Sequence, residues 1–526
     1  MTIQPILIDG RWRPADAEDT FQAENPATCQ PFPDRYPVSR WSDCEAALAA
    51  AEAAFREMRT MSGDRIASFL ETFATEIEQR SEALVQMAHQ ETGLPESPRL
   101  ANVELPRTTN QLRQAAVAAA EGSWAMPTID TSAGIRACFE PLGPVCVFGP
   151  NNFPFAFGSI SGGDFAAAIA AGNPVIAKAN PSHPGTTLLF AQAADQARKA
   201  SGLPSGTLAL LYRTSHADGQ RLVADPRTGA TGYTGSRTAG LKLKAAADAA
   251  GKPIYLELSS VNPVVILPGA IRERADSLAD EFTTSCLMGA GQFCTNPGLV
   301  AMLAGEATEA FIRSLCDRFA AAPVGTLLSR GVQSGLSASI RTLTEAGARV
   351  LVGGSEGGGS GYSFGNTLLR VDGQPFLDAA ATMQTEAFGN ASLLVVAEDL
   401  DQLCHVLDCL EGNLTGCIYS DTAGSDDAVY PRVAAALRPR VGRLLNDKMP
   451  TGVAVSPAMN HGGPYPATGH PGFTAVGIPA SLRRFAMLAS YDNVRPDRLP
   501  ACLQDRNPNG TMWRCIDGCW TQHDVS

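Results

Sequence analysis

The stretch PVCVFGPNNFPFAFGSISGGDFAAAIAAGNPVIAK, residues 144–178, decides the fold class. Residues 145–149 and 174–178 are short apolar runs that predict buried strands, and the small residues at 163–171 between them predict a helix. The same alternation continues downstream, with predicted strands at 207–212, 231–234 and 253–258 and predicted helices at 186–200 and 238–250. Strand and helix in alternation are typical of a parallel sheet with crossover helices, a common nucleotide-binding architecture.

The sequence on either side of this block predicts further elements. Residues 43–122 carry apolar positions at helical spacing, which indicates a helical scaffold. A second α/β block extends to about Arg443, and strand-like sequence at 367–371 follows a glycine-rich segment at 353–361. We interpret that segment as a mobile loop within one domain. The tail after Asn460 is rich in Gly and Pro, and the chain has no internal repeat.

Length and charge exclude several classes of protein. A chain of 526 residues with 44% hydrophobic residues should form more than one globular domain. Its net charge of −12 argues against nucleic acid as a partner, because phosphate binding needs clustered Lys and Arg. No apolar stretch reaches the roughly 18 residues that span a bilayer, and residues 1–10 lack a secretory pattern. We therefore expect a soluble cytoplasmic protein without a membrane partner.

Thirteen cysteines are scattered along the chain, which is not the pattern of a disulfide framework. Cys515, Cys519 and His523 recur every four residues and would share a face of a helix, where they could bind a metal. Only three ligands are present, however, and their spacing fits no common zinc pattern. The sequence therefore predicts no metal site, and a terminal segment packed on its neighbours.

One cysteine stands in a different setting, the run GAGQFCTNPG at residues 289–298. Glycines on both sides of Cys294 let the backbone approach a ligand closely and relax the turn that displays the thiol. Such a cysteine can act as a nucleophile if the chain also supplies a base and an oxyanion donor.

Four separated parts of the chain carry further motifs in a fixed order. They are FGPNNFP at 148–154; Lys178; YTGSRTAG at 233–240 followed by LELSSVNP at 256–263; and the Cys294 run followed by EAFGN at 386–390. Any one of these pieces has little specificity. Together they span most of the chain, and the sequence resembles the aldehyde dehydrogenase superfamily.

The resemblance implies an α/β fold with two Rossmann-like parallel-sheet domains and a small β oligomerisation element. It assigns residues 1–128 and 142–256 to a cofactor-binding domain, 257–460 to a catalytic domain, and 129–141 with 461–526 to the oligomerisation element and tail. Residues 136–140 form a short predicted strand suited to extend a neighbour's sheet. A homodimer or homotetramer is expected.

The resemblance also implies catalytic roles. Cys294 is the predicted nucleophile, Glu257 the general base for the thiol or the hydrolytic water, and Asn152 the oxyanion donor together with the backbone N–H of Cys294. Some superfamily members place a second carboxylate near the C-terminus. Between residues 459 and 494 this chain offers only Asp492, so Glu257 is expected to act alone as the base.

A third set of residues is implied to bind a nicotinamide cofactor. Gly235, Ser236 and Gly240 form a glycine turn at a helix N-terminus for the pyrophosphate, Lys178 reaches the adenosine ribose or its 2′-phosphate, and Glu386 with Phe388 meets the nicotinamide ribose. NAD-preferring members often carry a glutamate three residues after the lysine, where this chain has Pro181. Without that carboxylate nothing repels a 2′-phosphate, so we predict that NADP is accepted and preferred, with NAD as the alternative.

The motifs SHPGT at 182–186 and HGGPYPAT at 461–468 are similar to one branch of the superfamily. That branch contains 2-oxoglutarate semialdehyde (2,5-dioxopentanoate) dehydrogenases and NADP-dependent fatty aldehyde dehydrogenases. The leading prediction is oxidation of 2-oxoglutarate semialdehyde, which needs a cationic anchor for its carboxylate. The alternatives are oxidation of medium- or long-chain aliphatic aldehydes, a CoA-acylating reaction, and a catalytically silent binding protein on the same fold.

Overall fold

The computed structural model describes residues 2–525. Its first sheet has seven strands, of which the first five in spatial order run parallel. In spatial order they are Ile254–Glu257, Ala230–Thr234, Val145–Phe148, Val175–Lys178, Leu208–Leu211, Ile6–Ile8 and Arg11–Arg13. The last two are antiparallel and come from the N-terminus, which the sequence did not predict. The strand and helix alternation predicted from residue 144 onward is confirmed.

Eight helices accompany this sheet. They are Trp41–Met58, Gly63–Gln79, Ser81–Thr92, Leu105–Glu121, Gly163–Ala170, Pro184–Ser201, His216–Ala224 and Arg237–Ala249. Local sequence explains their limits: helix Pro184–Ser201 begins with a proline and ends at Gly202, whose φ of 66° continues the chain in the left-handed region. Helix Gly163–Ala170 is buried along its whole length, because its small residues fit between the sheet and the outer helices.

A second seven-stranded sheet follows in the chain. Its strands in spatial order are Arg349–Val352, Thr367–Asp372, Ala391–Ala397, Leu299–Leu303, Val264–Ile266, Asn413–Tyr419 and Val441–Asn446. Its helices are Pro268–Leu287, Glu306–Ala321, Arg330–Glu345, Gly373–Asp378, Ala380–Met383, Leu400–Asp408 and Tyr430–Leu437. All strand pairs are parallel except the first, in which Arg349–Val352 runs antiparallel to its neighbour.

A five-stranded sheet stands apart from these two. Its strands in spatial order are Ala486–Asp492, Ile135–Pro141, Thr128–Asp130, Arg514–Ile516 and Cys519–Thr521. Smaller sheets join Arg213–Thr214, Tyr36–Ser39 and Ala17–Phe21, and Glu24–Asn25 with Gln30–Pro31. The two α/β units and the β element match the predicted fold class, whereas the residue limits assigned to the domains stay a prediction.

The five-stranded sheet corrects one expectation. Strand Ile135–Pro141 is hydrogen-bonded on both sides within the chain, so it is not an edge that could extend a neighbour's sheet. The edge strands are Cys519–Thr521 and Ala486–Asp492, and on the latter Met487 and Leu488 are more than half exposed. Cys515 and Cys519 lie on a hairpin rather than a helix, and they face Trp520 and Ile516 across it.

No helix within residues 2–525 combines the length and the apolar character that a bilayer crossing requires. The cytoplasmic location inferred from composition stays a prediction.

Candidate active site

The loop that carries Cys294, which we call the thiol loop, begins where helix Pro268–Leu287 ends. Residues 289–291 all have positive φ, of 56°, 55° and 70°, which folds the chain back sharply before Cys294. A Cβ on Gly291 would lie 2.0 Å from the carbonyl oxygen of Gly389, so only glycine fits there. The thiol loop is therefore packed directly on the loop that carries the 386–390 motif.

Three side chains from distant parts of the chain meet at this loop. His461 Nε2 lies 2.8 Å from Glu257 Oε1 and 3.6 Å from Cys294 Sγ. The Glu257 and His461 side chains are each only 2% exposed. Glu257 ends strand Ile254–Glu257, at the carboxyl edge of the first sheet, where ligands of such sheets bind.

A single nitrogen atom of His461 faces both neighbours. When Nε2 carries a proton it can donate to the Glu257 carboxylate or to a Cys294 thiolate, but it then has no lone pair to accept the thiol proton. The second carboxylate oxygen, Glu257 Oε2, is buried without a hydrogen-bond partner. This oxygen is available to take a proton from the thiol or from a water molecule.

The surroundings hold Cys294 as a thiol at rest. Burial raises its pKa well above the ordinary value of a cysteine, and the adjacent Glu257 carboxylate raises the pKa further. The Arg107 guanidinium acts in the opposite direction. The nucleophile must therefore be deprotonated at the moment of reaction rather than beforehand.

Asn152 lies against the thiol loop, as the sequence predicts for an oxyanion donor. Its Nδ2 donates to the carbonyl oxygen of Gln292 at 3.0 Å, which leaves its second N–H for a ligand. Asn262 fixes the same loop from the other side, since its Nδ2 donates to the carbonyl oxygens of Cys294 and Asn296, each at 2.9 Å. Both side chains are buried.

Sequence reasoning missed His461. The HGGPYPAT motif marks a branch of the superfamily, but nothing in it indicates that its histidine contacts Glu257. The motif lies beside the end of the first sheet, where Thr468 forms a β-bridge with Glu257. Asp492, the carboxylate considered there, is exposed on strand Ala486–Asp492.

A cavity of about 690 Å³ opens at the carboxyl ends of three strands of the first sheet, and we call it the strand-end cavity. Lys178, Gly235 and Ser236 line it. Ser236 also caps helix Arg237–Ala249 by accepting a hydrogen bond from the Ala239 N–H, so the exposed N–H groups of this helix face the cavity. This is the environment that a pyrophosphate needs.

Gly240 does not line this cavity. It lies beneath it, where a Cβ would come within 2.6 Å of Leu258 and 2.9 Å of Tyr233. Glycine here lets helix Arg237–Ala249 pack closely on the sheet, which positions the helix N-terminus.

A smaller cavity of about 340 Å³, the thiol cavity, continues inward from the strand-end cavity. Cys294, Glu257, Asn152, Glu386 and Phe388 line it. The structure thus brings the three predicted catalytic side chains together with the two residues predicted at the nicotinamide ribose. Burial raises the pKa of Glu386 to about 7, although hydrogen bonds from Ser259 and Ser260 oppose that shift.

The Lys and Arg side chains that line the strand-end cavity have no carboxylate of residues 2–525 beside them in its wall. Burial lowers the pKa of Lys178 to about 8, and the nearby Arg213 lowers it as well. Arg213 and Lys242 also line the cavity, whereas no Asp or Glu of the described chain does. Pro181, in the position of the expected glutamate, is part of this wall.

A third cavity of about 620 Å³, the side cavity, shares no lining residue with the thiol cavity. Phe153 and Phe293 form its inner end, next in sequence to Asn152 and Cys294. Most of its wall is apolar, but Arg99 and Arg107 are part of it. The thiol loop therefore lies between the thiol cavity and the side cavity.

Glu257, Cys294 and His461 also meet the simplest condition for a metal site. Their ligand atoms lie within 4.8 Å of one another, the one such group among residues 2–525. The Cys515, Cys519 and His523 set forms no such group there. The predicted absence of a resident metal stays a prediction.

Comparison with known proteins agrees with this geometry. Residues 12–463 match the model of the aldehyde dehydrogenase family. The chain is 38% identical to an alpha-ketoglutaric semialdehyde dehydrogenase 2 of Azospirillum brasilense, over 97% of this chain and 98% of that one. It is 34% identical to an alpha-ketoglutaric semialdehyde dehydrogenase of Acinetobacter baylyi, over 98% of both chains.

Solved structures share the fold. The lactaldehyde dehydrogenase of Escherichia coli superimposes with a TM-score of 0.79 at 23% identity, over 93% of this chain and 98% of that one. The sequence matches and this common fold lead to one conclusion. The chain belongs to the aldehyde dehydrogenase family and is an NAD(P)-dependent aldehyde dehydrogenase.

Proposed function

We propose that this enzyme oxidises 2-oxoglutarate semialdehyde to 2-oxoglutarate, with Cys294 as its nucleophile and NADP as its preferred hydride acceptor. The observation that carries the proposal is the position of the Cys294, Glu257 and His461 group between a cation-lined cavity and a separate side cavity. The two relatives with 38% and 34% identity bear the name of this activity.

The first step is attack by sulfur. Glu257 takes the thiol proton through its unpartnered Oε2, and the Cys294 sulfur forms a bond to the aldehyde carbon. The carbonyl oxygen becomes an oxyanion, which accepts hydrogen bonds from Asn152 Nδ2 and from the Cys294 backbone N–H. His461 Nε2 keeps the Glu257 carboxylate in place until the proton transfer.

The next steps oxidise and release the substrate. The oxyanion collapses to a thioester as the former aldehyde carbon loses its hydride, and the nicotinamide supplies the hydride acceptor when the cofactor is bound. Glu257, having lost its proton to solvent, then takes a proton from a water molecule that attacks the thioester. The carbon–sulfur bond breaks, the product leaves as a carboxylate, and Cys294 regains a proton.

The preference for NADP rests on the strand-end cavity. Lys178, Arg213 and Lys242 line its wall, and no carboxylate there would repel a 2′-phosphate. We expect kcat/KM to be at least several-fold higher with NADP than with NAD. A large preference for NAD would overturn this part of the proposal.

Oxidation of aliphatic aldehydes is the second candidate, because the wall of the side cavity is mostly apolar. A turnover panel separates the two candidates: 2-oxoglutarate semialdehyde is compared with hexanal and octanal under the same cofactor. We expect the highest kcat/KM for the semialdehyde. Higher values across the aliphatic series would refute the leading proposal.

Two further alternatives have direct tests. A catalytically silent protein would form no NADPH from aldehyde, whereas we expect NADPH formation that is lost in Cys294→Ala. A CoA-acylating enzyme would need CoA to release product, whereas we expect release with water alone.

The proposal includes a homodimer or homotetramer. Support comes from the edge strand Ala486–Asp492, whose exposed Met487 and Leu488 suit a contact between chains. Light scattering of the intact protein and of Leu488→Lys tests this, and a monomeric wild type would contradict it.

A further inference from the structure

Three arginines lie near Cys294 or the adjacent Phe293, and two of them donate hydrogen bonds to acceptors within the chain. Arg99 Nη1 contacts Glu104 at 2.5 Å, and its Nη2 donates to the Asn152 carbonyl oxygen at 3.1 Å. Arg443 donates to the carbonyl oxygens of Pro450 and Gly452 at 3.1 and 3.2 Å. Each of these two guanidinium groups is thus held by acceptors of the chain itself.

Arg107 differs from both. Its Nε and Nη2 atoms are buried, and they have no hydrogen-bond partner in the described chain. No carboxylate of residues 2–525 forms an ion pair with it, because Glu104 is already held by Arg99 and by the N–H groups of Phe155 and Ala156. A buried guanidinium without an anion is costly, since each unpaired donor loses its hydration.

Arg107 lies on helix Leu105–Glu121, next to two aromatic rings. The flat faces of two aromatic rings are its main neighbours, with the Cζ atom 5.0 Å from the Phe157 ring centroid and 6.0 Å from that of Phe153. These contacts orient the guanidinium but leave its Nε and Nη2 atoms without a hydrogen-bond partner in the described chain.

The same rings connect Arg107 to the nucleophile. The Phe157 ring lies 5.5 Å from the His461 ring, and His461 Nε2 lies 3.6 Å from Cys294 Sγ. Arg107 also lines the side cavity, which approaches the thiol loop away from the cavities that fit a nucleotide. For a five-carbon substrate with its aldehyde at the sulfur, binding at Arg107 requires that its other end enter this cavity.

We infer that Arg107 is the residue that binds the substrate carboxylate, which makes it the specificity determinant for an acidic semialdehyde over an uncharged aldehyde. This inference rests on the proposed function. A planar guanidinium with unpaired N–H donors can hold a carboxylate through two parallel hydrogen bonds. The apolar remainder of the cavity then packs against the carbon chain and excludes water.

The test compares two substrates of equal chain length, 2-oxoglutarate semialdehyde and pentanal. In Arg107→Met we expect KM for the semialdehyde to rise roughly tenfold to a hundredfold, the contribution of a charge-assisted hydrogen bond. The kcat/KM for pentanal reports what loss of the Arg107 charge does at Cys294 itself, because that charge lowers the pKa of the thiol. The role in substrate binding is therefore read from the ratio of kcat/KM for the semialdehyde to that for pentanal, which should fall at least tenfold. Arg107→Lys keeps the charge without the planar fork and should fall between the two.

Arg113→Met is the matched control. Arg113 lies on the same helix and forms exposed ion pairs with Glu78 and Glu71, so its loss should leave the ratio of the two substrates unchanged. If Arg107→Met fails to fold, as judged by circular dichroism, Arg107→Lys decides the question through the same ratio. An unchanged ratio in whichever Arg107 variant folds overturns the inference.

A binding measurement separates this inference from the proposed function. With pentanal as the substrate, 2-oxoglutarate should inhibit the wild type competitively and should inhibit Arg107→Met at least tenfold more weakly. A wild type that turns over pentanal faster than the semialdehyde would overturn the proposed function. Equal inhibition of the wild type and Arg107→Met would overturn the role of Arg107 alone.

Discussion

Replacement of His461 by alanine tests how the thiol is activated. The substitution removes the donor that faces both Glu257 Oε1 and Cys294 Sγ. A hydrogen bond to a charged group is worth about 1.5–3 kcal/mol, and 1.4 kcal/mol corresponds to a factor of ten. We therefore expect the first turnover of aldehyde oxidation to slow by roughly tenfold to a hundredfold.

His461→Gln decides between two roles for this residue. A glutamine side chain can still donate an N–H to Glu257, but it cannot act as a base at neutral pH. If His461 acts as a donor, as its shared Nε2 indicates, the glutamine variant should recover most of the lost rate. His405→Gln, which changes an exposed histidine on helix Leu400–Asp408, is the matched control and should behave as the wild type does.

The assay is rapid mixing of enzyme, NADP and aldehyde, with NADPH absorbance followed through the first turnover. A second readout is the pH dependence of Cys294 alkylation by iodoacetamide. Burial and Glu257 already raise the pKa of Cys294, and loss of a donor to its thiolate raises it further, so the alkylation curve of His461→Ala should move to higher pH. A wild-type first turnover in His461→Ala, or no recovery with glutamine, would refute the donor role.

Three further predictions follow from the same geometry. Glu257→Gln should form the thioester on Cys294 far more slowly than the wild type, because the variant lacks the base that takes the thiol proton. Intact-protein mass spectrometry after mixing with aldehyde and NADP measures this, and thioester formation at the wild-type rate would contradict the base role of Glu257. Gly291→Ala should destabilise the protein by a few kcal/mol, because its Cβ would lie 2.0 Å from a backbone oxygen at a φ of 70°, whereas Gly305→Ala, which meets nothing within 4 Å, should leave the melting temperature nearly unchanged. The preference for NADP over NAD should decline as the pH rises above about 8, where Lys178 loses its proton, and a preference that stays constant to pH 10 would show that Lys178 does not bind the phosphate.

The sequence predicted the parts of the fold that local pattern determines. Strands Val145–Phe148 and Val175–Lys178 are hydrophobic apart from Lys178, and a proline precedes each of them, so the sequence alone predicts that they are buried strands. The strand Ile6–Ile8 is equally apolar, but its antiparallel place beside Leu208–Leu211 depends on a contact across some 200 residues. Local periodicity carries no information on such a partner.

The candidate site also combines residues that the sequence marks with residues that only the structure identifies. Cys294, Glu257 and Asn152 lie in motifs that mark them, and the structure brings them together around one cavity. His461 is 167 residues from Cys294 and 204 from Glu257, and a lone histidine in a glycine-rich segment gives no sign of its neighbours. Arg107 was equally hidden, because its significance is the lack of a partner, which only packing reveals.

The raised pKa of Cys294 also affects how readily this thiol is oxidised. Peroxide and other oxidants attack thiolates, and susceptibility follows thiolate character and exposure. Cys409 and Cys519 are exposed, whereas Cys294 is held as a thiol until Glu257 takes its proton for an incoming aldehyde. Under oxidative stress the surface cysteines should therefore be modified first, while the resting enzyme keeps its nucleophile intact.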